Sequence, residues 1–226
     1  MNHTFPLRLL FIGNSATYVH DIPGTLCCLA QNAGYPLKSE SVVKGGYTLT
    51  QHANAQTEHG RTVLDTVRRG FDIVFLQDNG NCVSSPEMEE ASRLASRTLF
   101  DAVRASGAKP YIYVRPPYGQ ENAGRSPYEQ CVAFDRHFTA IAEGNGAGCV
   151  FVNRAFGRAM HSCELPLWGP DNAHTSEHGA YLAVCTFFSS LTGVSSEILE
   201  PNGLPIEEAR ILQKIADDVA LHQKML

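Results

Sequence analysis

"LLFIGNSATYVHDIP", residues 9 to 23, begins as a strand and stops being one in the middle. Leu9 to Ile12 is a short apolar run of the kind that forms a core strand, and Gly13-Asn14-Ser15 breaks it before a helix can start. A small hydroxyl residue thus stands at the end of a buried strand, framed by glycine and asparagine. Whether it caps a helix or carries chemistry depends on what the other strand ends bring to it.

Working outward, the same grammar repeats. Leu7 to Ile12, Leu37 to Val43, Phe71 to Gln77, Pro110 to Val114 and Gly148 to Val152 read as strands, each brief and bounded by Gly, Pro or polar turns. Ile22 to Ala33, His59 to Arg69, Glu87 to Ser106, Tyr128 to Glu143, Glu177 to Leu191 and Pro205 to Leu226 read as helices. Ser85-Pro86-Glu87 puts proline near a helix start and acids in the first turn, where the helix dipole favours them. Strands alternating with helices predict an α/β fold, because a parallel crossover needs about a dozen residues and usually spends them on a helix.

The bulk numbers narrow the function classes. A chain of 226 residues, 43% hydrophobic and 18% charged, matches one ordinary globular domain over residues 1–226. Its net charge of −5 contains no long run of either sign, which argues against nucleic acid or an anionic membrane as partner. Seven cysteines, an odd number without a C-x-x-C pair, read as buried free thiols in a reducing compartment. No stretch reaches the roughly 18 apolar residues of a membrane span, and the expected location is cytoplasmic.

In a parallel sheet, ligands bind beyond the carboxyl ends of the strands. Those ends carry Gly13-Asn14-Ser15, Lys44-Gly45-Gly46-Tyr47-Thr48, Asp78-Asn79-Gly80-Asn81, the polar loop Arg115 to Ser126 and, further on, "WGPDNAHTSEHGAYLA" at 168–183. Acyl transfer by serine needs a nucleophile on a tight turn, a base, an acid to orient it, and donors for the oxyanion. Ser15, His174, Asp171, and Gly46 with Asn79 or Asn81 could fill these places in turn. Singly, each has a plainer reading: Ser15 as a helix cap, Gly45-Gly46 and Asn79-Gly80 as ordinary turns, His174 as a solvated loop residue. Their placement at successive strand ends favours the catalytic reading.

The chain at this point resembles the SGNH hydrolases of the GDSL esterase/lipase superfamily, over residues 7 to 193. "FIGNS" resembles the first block of that family, with Asn14 where aspartate is usual and Ser15 as nucleophile. "VVKGGYT" resembles the second, with Gly46 as the oxyanion glycine, and "DNAHTSEHG" resembles the block whose Asp-x-x-His supplies acid and base, here Asp171 and His174. A bacterial branch with "FIGNS" near the start and "VLQ" at the third strand is the nearer match. The third block departs from the family: "DIVFLQDNGNC" lacks the usual Gly-x-Asn-Asp, and a count without gaps puts Asn81 in the asparagine slot, a shorter turn Asn79, with Gln77 a weaker candidate.

The resemblance implies a three-layer α/β/α sandwich around a flavodoxin-like parallel sheet of about five strands. It also implies an esterase with a Ser-His-Asp triad, an oxyanion hole built from the Ser15 and Gly46 N–H groups and one asparagine, and no cofactor or metal. Arg115, Tyr118 and Trp168 are expected to shape the substrate pocket, and a short acyl ester, such as an acetyl group on a carbohydrate, is the expected substrate. Two rivals accompany this reading. Asp171, His174 and His178 have metal-ligand spacing and could serve a metal-dependent hydrolase; or the chain could be a binding module that kept the fold and lost the chemistry.

Overall fold

A computed structural model describes residues 6–222 of the chain. Residues 1–5, and 223–226 at the end of the expected last helix, lie outside the described residues. In chain order the elements are β1 (Leu7–Gly13), α1 (Ser15–Tyr18), α2 (Ile22–Asn32), β2 (Leu37–Val43), α3 (Leu49–His52), α4 (Glu58–Val67), β3 (Ile73–Leu76), α5 (Pro86–Ala105), β4 (Lys109–Val114), α6 (Pro127–Asn145), β5 (Gly148–Phe151), α7 (Val152–Ser162), α8 (Glu177–Thr192) and α9 (Ile206–Ala220).

The five strands are all parallel, in the order β2-β1-β3-β4-β5. Chain order reverses at β1 and β3, and the crevice beyond their carboxyl ends is the topological switch point where such sheets bind ligands. Both faces of the sheet are covered, and β1 shows how one strand serves two layers. Leu9 and Phe11 point into the core shared with α2, α7, α8 and α9, while Leu10 and Ile12 point into the core shared with α4, α5 and α6. That alternation is the period of two inherent in an extended chain, and with both faces buried it appears in sequence as an unbroken apolar run.

Local chemistry fixes the helix ends. Ser85 accepts from the Met88 N–H at the head of α5, with Pro86 at its first position and Glu87 and Glu89 in its first turn. Ser126 and Glu129 form a reciprocal capping box on α6, which ends at Gly146 with φ +58. α8 is buried along most of its length because α2, α7 and α9 surround it. Its Phe187 meets Phe11, Phe75 and Tyr113 at centroid distances of 4.8–5.5 Å, joining the helix to the middle of the sheet.

Several boundaries differ from those expected. The fifth strand stops at Phe151, and Val152 opens α7, a helix absent from the sequence reading. The short helices α1 and α3, not among the expected elements, follow β1 and the glycine loop after β2. All seven cysteines are free, but only Cys82, Cys131 and Cys185 are buried; Cys28 is exposed, against the expectation of sealed thiols. No helix among the described residues is long and apolar enough to cross a membrane.

Candidate active site

The turn after β1 is secured without the Ser15 hydroxyl. Asn14, not Ser15, caps α1: its Oδ1 accepts from the Ala16 N–H at 3.1 Å. Its Nδ2 donates to the Tyr47 carbonyl at 2.9 Å, linking the turn to the glycine loop after β2. Ser15 is therefore the first residue of α1, with its hydroxyl free of capping duty and its N–H among those that find no acceptor within a helix. The cap reading of Ser15 fails because the neighbouring asparagine takes the role.

Behind the turn stands Gln77, at the end of β3 and 1% exposed. Its Oε1 accepts from the Asn14 N–H at 2.8 Å and from the Thr17 hydroxyl at 3.0 Å, while its Nε2 donates to the Asp78 carbonyl. The Gln77 oxygen is thus taken up in holding the turn at Asn14, and its Nε2 makes one bond, to the Asp78 carbonyl. Gly13 is required by the same contact, since a Cβ there would come within 2.6 Å of both Gln77 Oε1 and Thr17 Oγ1.

The next two residues organise the loop around Gly46. Asp78 is buried, and its Oδ1 accepts from the N–H groups of Leu49 at 2.8 Å and Asn79 at 2.7 Å, anchoring the first turn of α3. Burial raises the proton affinity of this carboxyl, against the pull of Ser92, the two backbone N–H groups and Arg115. Asn79 Nδ2 donates to the Gly46 carbonyl at 2.9 Å, and its Oδ1 accepts from the Asn81 N–H. An amide nitrogen carries two hydrogens, so one remains for a ligand. Gly46 has φ +73 in the turn closed by the Tyr47 N–H donating to the Lys44 carbonyl, a conformation that favours glycine. Asn81 is drawn away, its Oδ1 accepting from Asn122 Nδ2 at 3.0 Å. Of the two asparagines, the structure brings Asn79 to Gly46.

A sealed histidine backs this loop. His52 is wholly buried with its Nδ1 2.9 Å from His59 Nε2, and Tyr47 packs edge-on against both rings. Burial, then the neighbouring His59, lower its pKa to about 4 against the pull of the Gly13 carbonyl, so it is neutral at pH 7.

The segment expected to supply acid and base lies between Trp168 and α8. Asp171 divides its oxygens: Oδ1 accepts from the N–H groups of Ala173 at 2.9 Å and His174 at 3.0 Å, and Oδ2 accepts from His174 Nδ1 at 2.6 Å. The bond to the imidazole, then those two backbone bonds, hold this carboxyl well below the usual carboxylate range. With Nδ1 engaged as a donor, neutral His174 carries its lone pair on Nε2, the form a general base needs.

Contacts that the sequence reading missed fasten this segment to the rest of the site. His20 Nε2 donates to the Thr175 carbonyl at 2.9 Å, joining the residue after His174 to the chain five residues past Ser15. His20 and Asp21 both adopt left-handed backbone, φ +59 and +44, an uncommon pair of conformations held here by the surrounding contacts. On the other side, Trp168 Nε1 donates to the Pro117 carbonyl at 2.9 Å and the Gly119 N–H to the Asn172 carbonyl at 2.7 Å. Trp168 therefore clamps the loop after β4, and Tyr118 lies over Arg115 at 4.2 Å. The metal-ligand spacing does not assemble into a site: His178 Nε2 turns to Glu208 at 2.6 Å, and among the described residues no three His, Cys, Asp or Glu side chains converge on a point.

No protein-family model matches the chain, and no curated protein matches it by sequence. Solved structures do. A DUF4886 family protein from Bacteroides uniformis superposes with a TM-score of 0.83 at 15% identity, over 98% of this chain and 97% of that one. A protein from Slackia heliotrinireducens, described provisionally as an SGNH hydrolase, gives 0.71 at 23% identity over 83% of this chain and 100% of that one. The acetylxylan esterase Axe2 from Geobacillus stearothermophilus gives 0.57 at 15% identity over 93% and 92%. The chain has the SGNH hydrolase fold.

Proposed function

We propose that the protein is a serine esterase that removes a short acyl group, acetyl foremost, from a carbohydrate or other small alcohol by way of an acyl-enzyme. The observation that carries this reading is the Asp171–His174 pair at 2.6 Å, tied through His20 and Thr175 to the segment that Ser15 begins. A histidine set in one tautomer by an ionised acid, on a loop bonded to the segment that follows an uncommitted serine at a strand end, supports a reading as nucleophile activator.

In this mechanism His174 Nε2 takes the Ser15 proton as Oγ attacks the ester carbonyl, and Asp171 stabilises the imidazolium that forms. The oxyanion receives the N–H groups of Ser15 and Gly46 and the second amide hydrogen of Asn79. Collapse expels the alcohol, which takes its proton from His174. Water, deprotonated by the same imidazole, then attacks the acyl-enzyme and releases the acid. The acetyl and carbohydrate part of the proposal draws support from the likeness to Axe2, described as an acetyl-xylooligosaccharide esterase.

A panel of p-nitrophenyl esters of increasing acyl length, run beside acetylated sugars and an acyl-CoA, tests the reading. The expected kcat/KM is highest for acetate and falls with chain length; absence of turnover on every ester would sink it. In the same assay Asn79→Ala should lose about a hundredfold or more in kcat, the usual cost of one oxyanion donor. Asn81→Ala should stay within a few fold.

A further inference from the structure

We propose that the buried guanidinium of Arg115 recognises a carboxylate carried by the substrate, so that the site selects anionic esters over neutral ones of the same shape. The inference rests on the esterase reading and adds to it the charge class of the substrate.

Arg115 directly follows β4 at the carboxyl end of the sheet and is only 3% exposed. Two contacts hold it and leave its far edge unused: Nε donates to the Pro116 carbonyl at 2.8 Å, and the Tyr118 ring covers one face. Nη1 lies so near Gly80 that a Cβ there would be 2.6 Å away, which sets the guanidinium beside the residue that follows Asn79. Its loop is also the one bound to Trp168 and Asn172. The guanidinium thus stands against Gly80, on a loop whose Pro117 and Gly119 contact Trp168 and Asn172.

Among the described residues, Arg115 has no carboxylate within 4.0 Å, and neither terminal nitrogen has a hydrogen-bond acceptor. Asp78 acts on it electrostatically, but that carboxyl is already taken by Leu49, Asn79 and Ser92. Among the described residues, the sealed side-chain polar atoms without a partner are His52 Nε2, Ser96 Oγ, Thr139 Oγ1 and Asn153 Oδ1. The Arg115 nitrogens are not among them, so what little of this side chain is exposed includes its donor edge. A guanidinium this deep, open to water only along a narrow donor edge, gives up most of its hydration, and an apolar side chain would fill most of the same space at less cost. The planar fork of a guanidinium matches a carboxylate with two parallel hydrogen bonds. A carboxylated sugar bearing an acetyl ester would satisfy both this requirement and the function proposed above.

Two matched pairs of chromogenic esters test the inference. In one, p-nitrophenyl adipate with a free carboxylate is compared with its methyl ester, placing the charge on the acyl side. In the other, p-nitrophenyl acetate with a ring carboxylate is compared with its methyl ester, placing it on the leaving side. The charged member of at least one pair should be favoured in kcat/KM by about tenfold to a hundredfold, chiefly through KM, the scale expected of charge-assisted hydrogen bonds. That ratio should fall to about one in Arg115→Gln and persist in part in Arg115→Lys, which keeps the charge without the fork. No preference in the native protein, or one that survives in Arg115→Gln, overturns the inference.

Turnover of the neutral esters reports on the esterase reading alone, so the two failures are distinguishable. Should no ester be turned over, melting curves in rising succinate decide: stabilisation of the native protein but not of Arg115→Gln supports a carboxylate site, and equal response refutes it. If circular dichroism shows that Arg115→Gln does not fold, Arg115→Lys carries both comparisons, and an undiminished ratio or an undiminished succinate response there refutes the inference.

Discussion

Ser15→Ala should lower kcat by about 10⁴- to 10⁶-fold, the range seen when a triad serine is removed, while leaving the melting temperature nearly unchanged. The two halves of this expectation come from the same feature. Asn14 Oδ1 accepts from the Ala16 N–H and Gln77 holds the Asn14 N–H, so the turn is secured without the Ser15 hydroxyl. Loss of that hydroxyl removes the attacking atom and little else. Residual activity measured against substrate turnover and thermal melting followed by circular dichroism check the two halves separately. A large loss of stability would mean that the serine is a structural residue after all.

Asp171→Asn should cost about 10⁴-fold in kcat, with a smaller effect on substrate binding. An asparagine can still present its oxygen to the N–H groups of Ala173 and His174, which keeps the loop in place. Its amide nitrogen would then face His174 Nδ1, where only an acceptor is useful. The imidazole must answer by placing its own proton on Nε2, the atom that has to receive the proton from Ser15. In the native protein the carboxyl is held well below the usual range, so it stays ionised across the pH range of ester assays and keeps the productive tautomer throughout. Nitrogen NMR of the imidazole in the two proteins would read the tautomer directly, and steady-state kinetics the loss.

The layers were readable from the chain because buried parallel strands leave a plain record. Leu9 to Ile12 is apolar without interruption, since β1 feeds two cores at once. α5 was equally plain, with Ser85-Pro86 marking its start. α7 left no such mark: Phe151 precedes it with no side-chain cap, and Val152 continues the apolar run of β5. α3 did carry a signal in Thr48 and Gln51, which form a capping box, but four residues are too few for a helical period to show.

The candidate site divides in the same way. Ser15, Gly46, Asp171 and His174 were legible because each sits in a short motif at a strand end or beside a helix. Whether Asn79 or Asn81 faces the oxyanion loop was not, because the choice turns on the tight turn that follows Asn79 and on Asn122, more than forty residues away, taking up Asn81. Gln77 and His20 were invisible as positioning residues for the same reason. Their partners, Asn14, Thr17 and Thr175, are near them only in three dimensions. Arg115 was expected at the substrate from its place after β4, but its idle donor edge is a property of burial and packing that no spacing in the chain encodes.

The central claim is that Ser15 is made nucleophilic by His174, and reaction with a fluorophosphonate probe followed by peptide mass mapping tests it most directly. A single adduct on Ser15, abolished in His174→Ala and in Ser15→Ala, is the result expected. An unlabelled protein, an adduct on another residue, or labelling that persists in His174→Ala would contradict it, and the first of these would leave the fold as a binding scaffold.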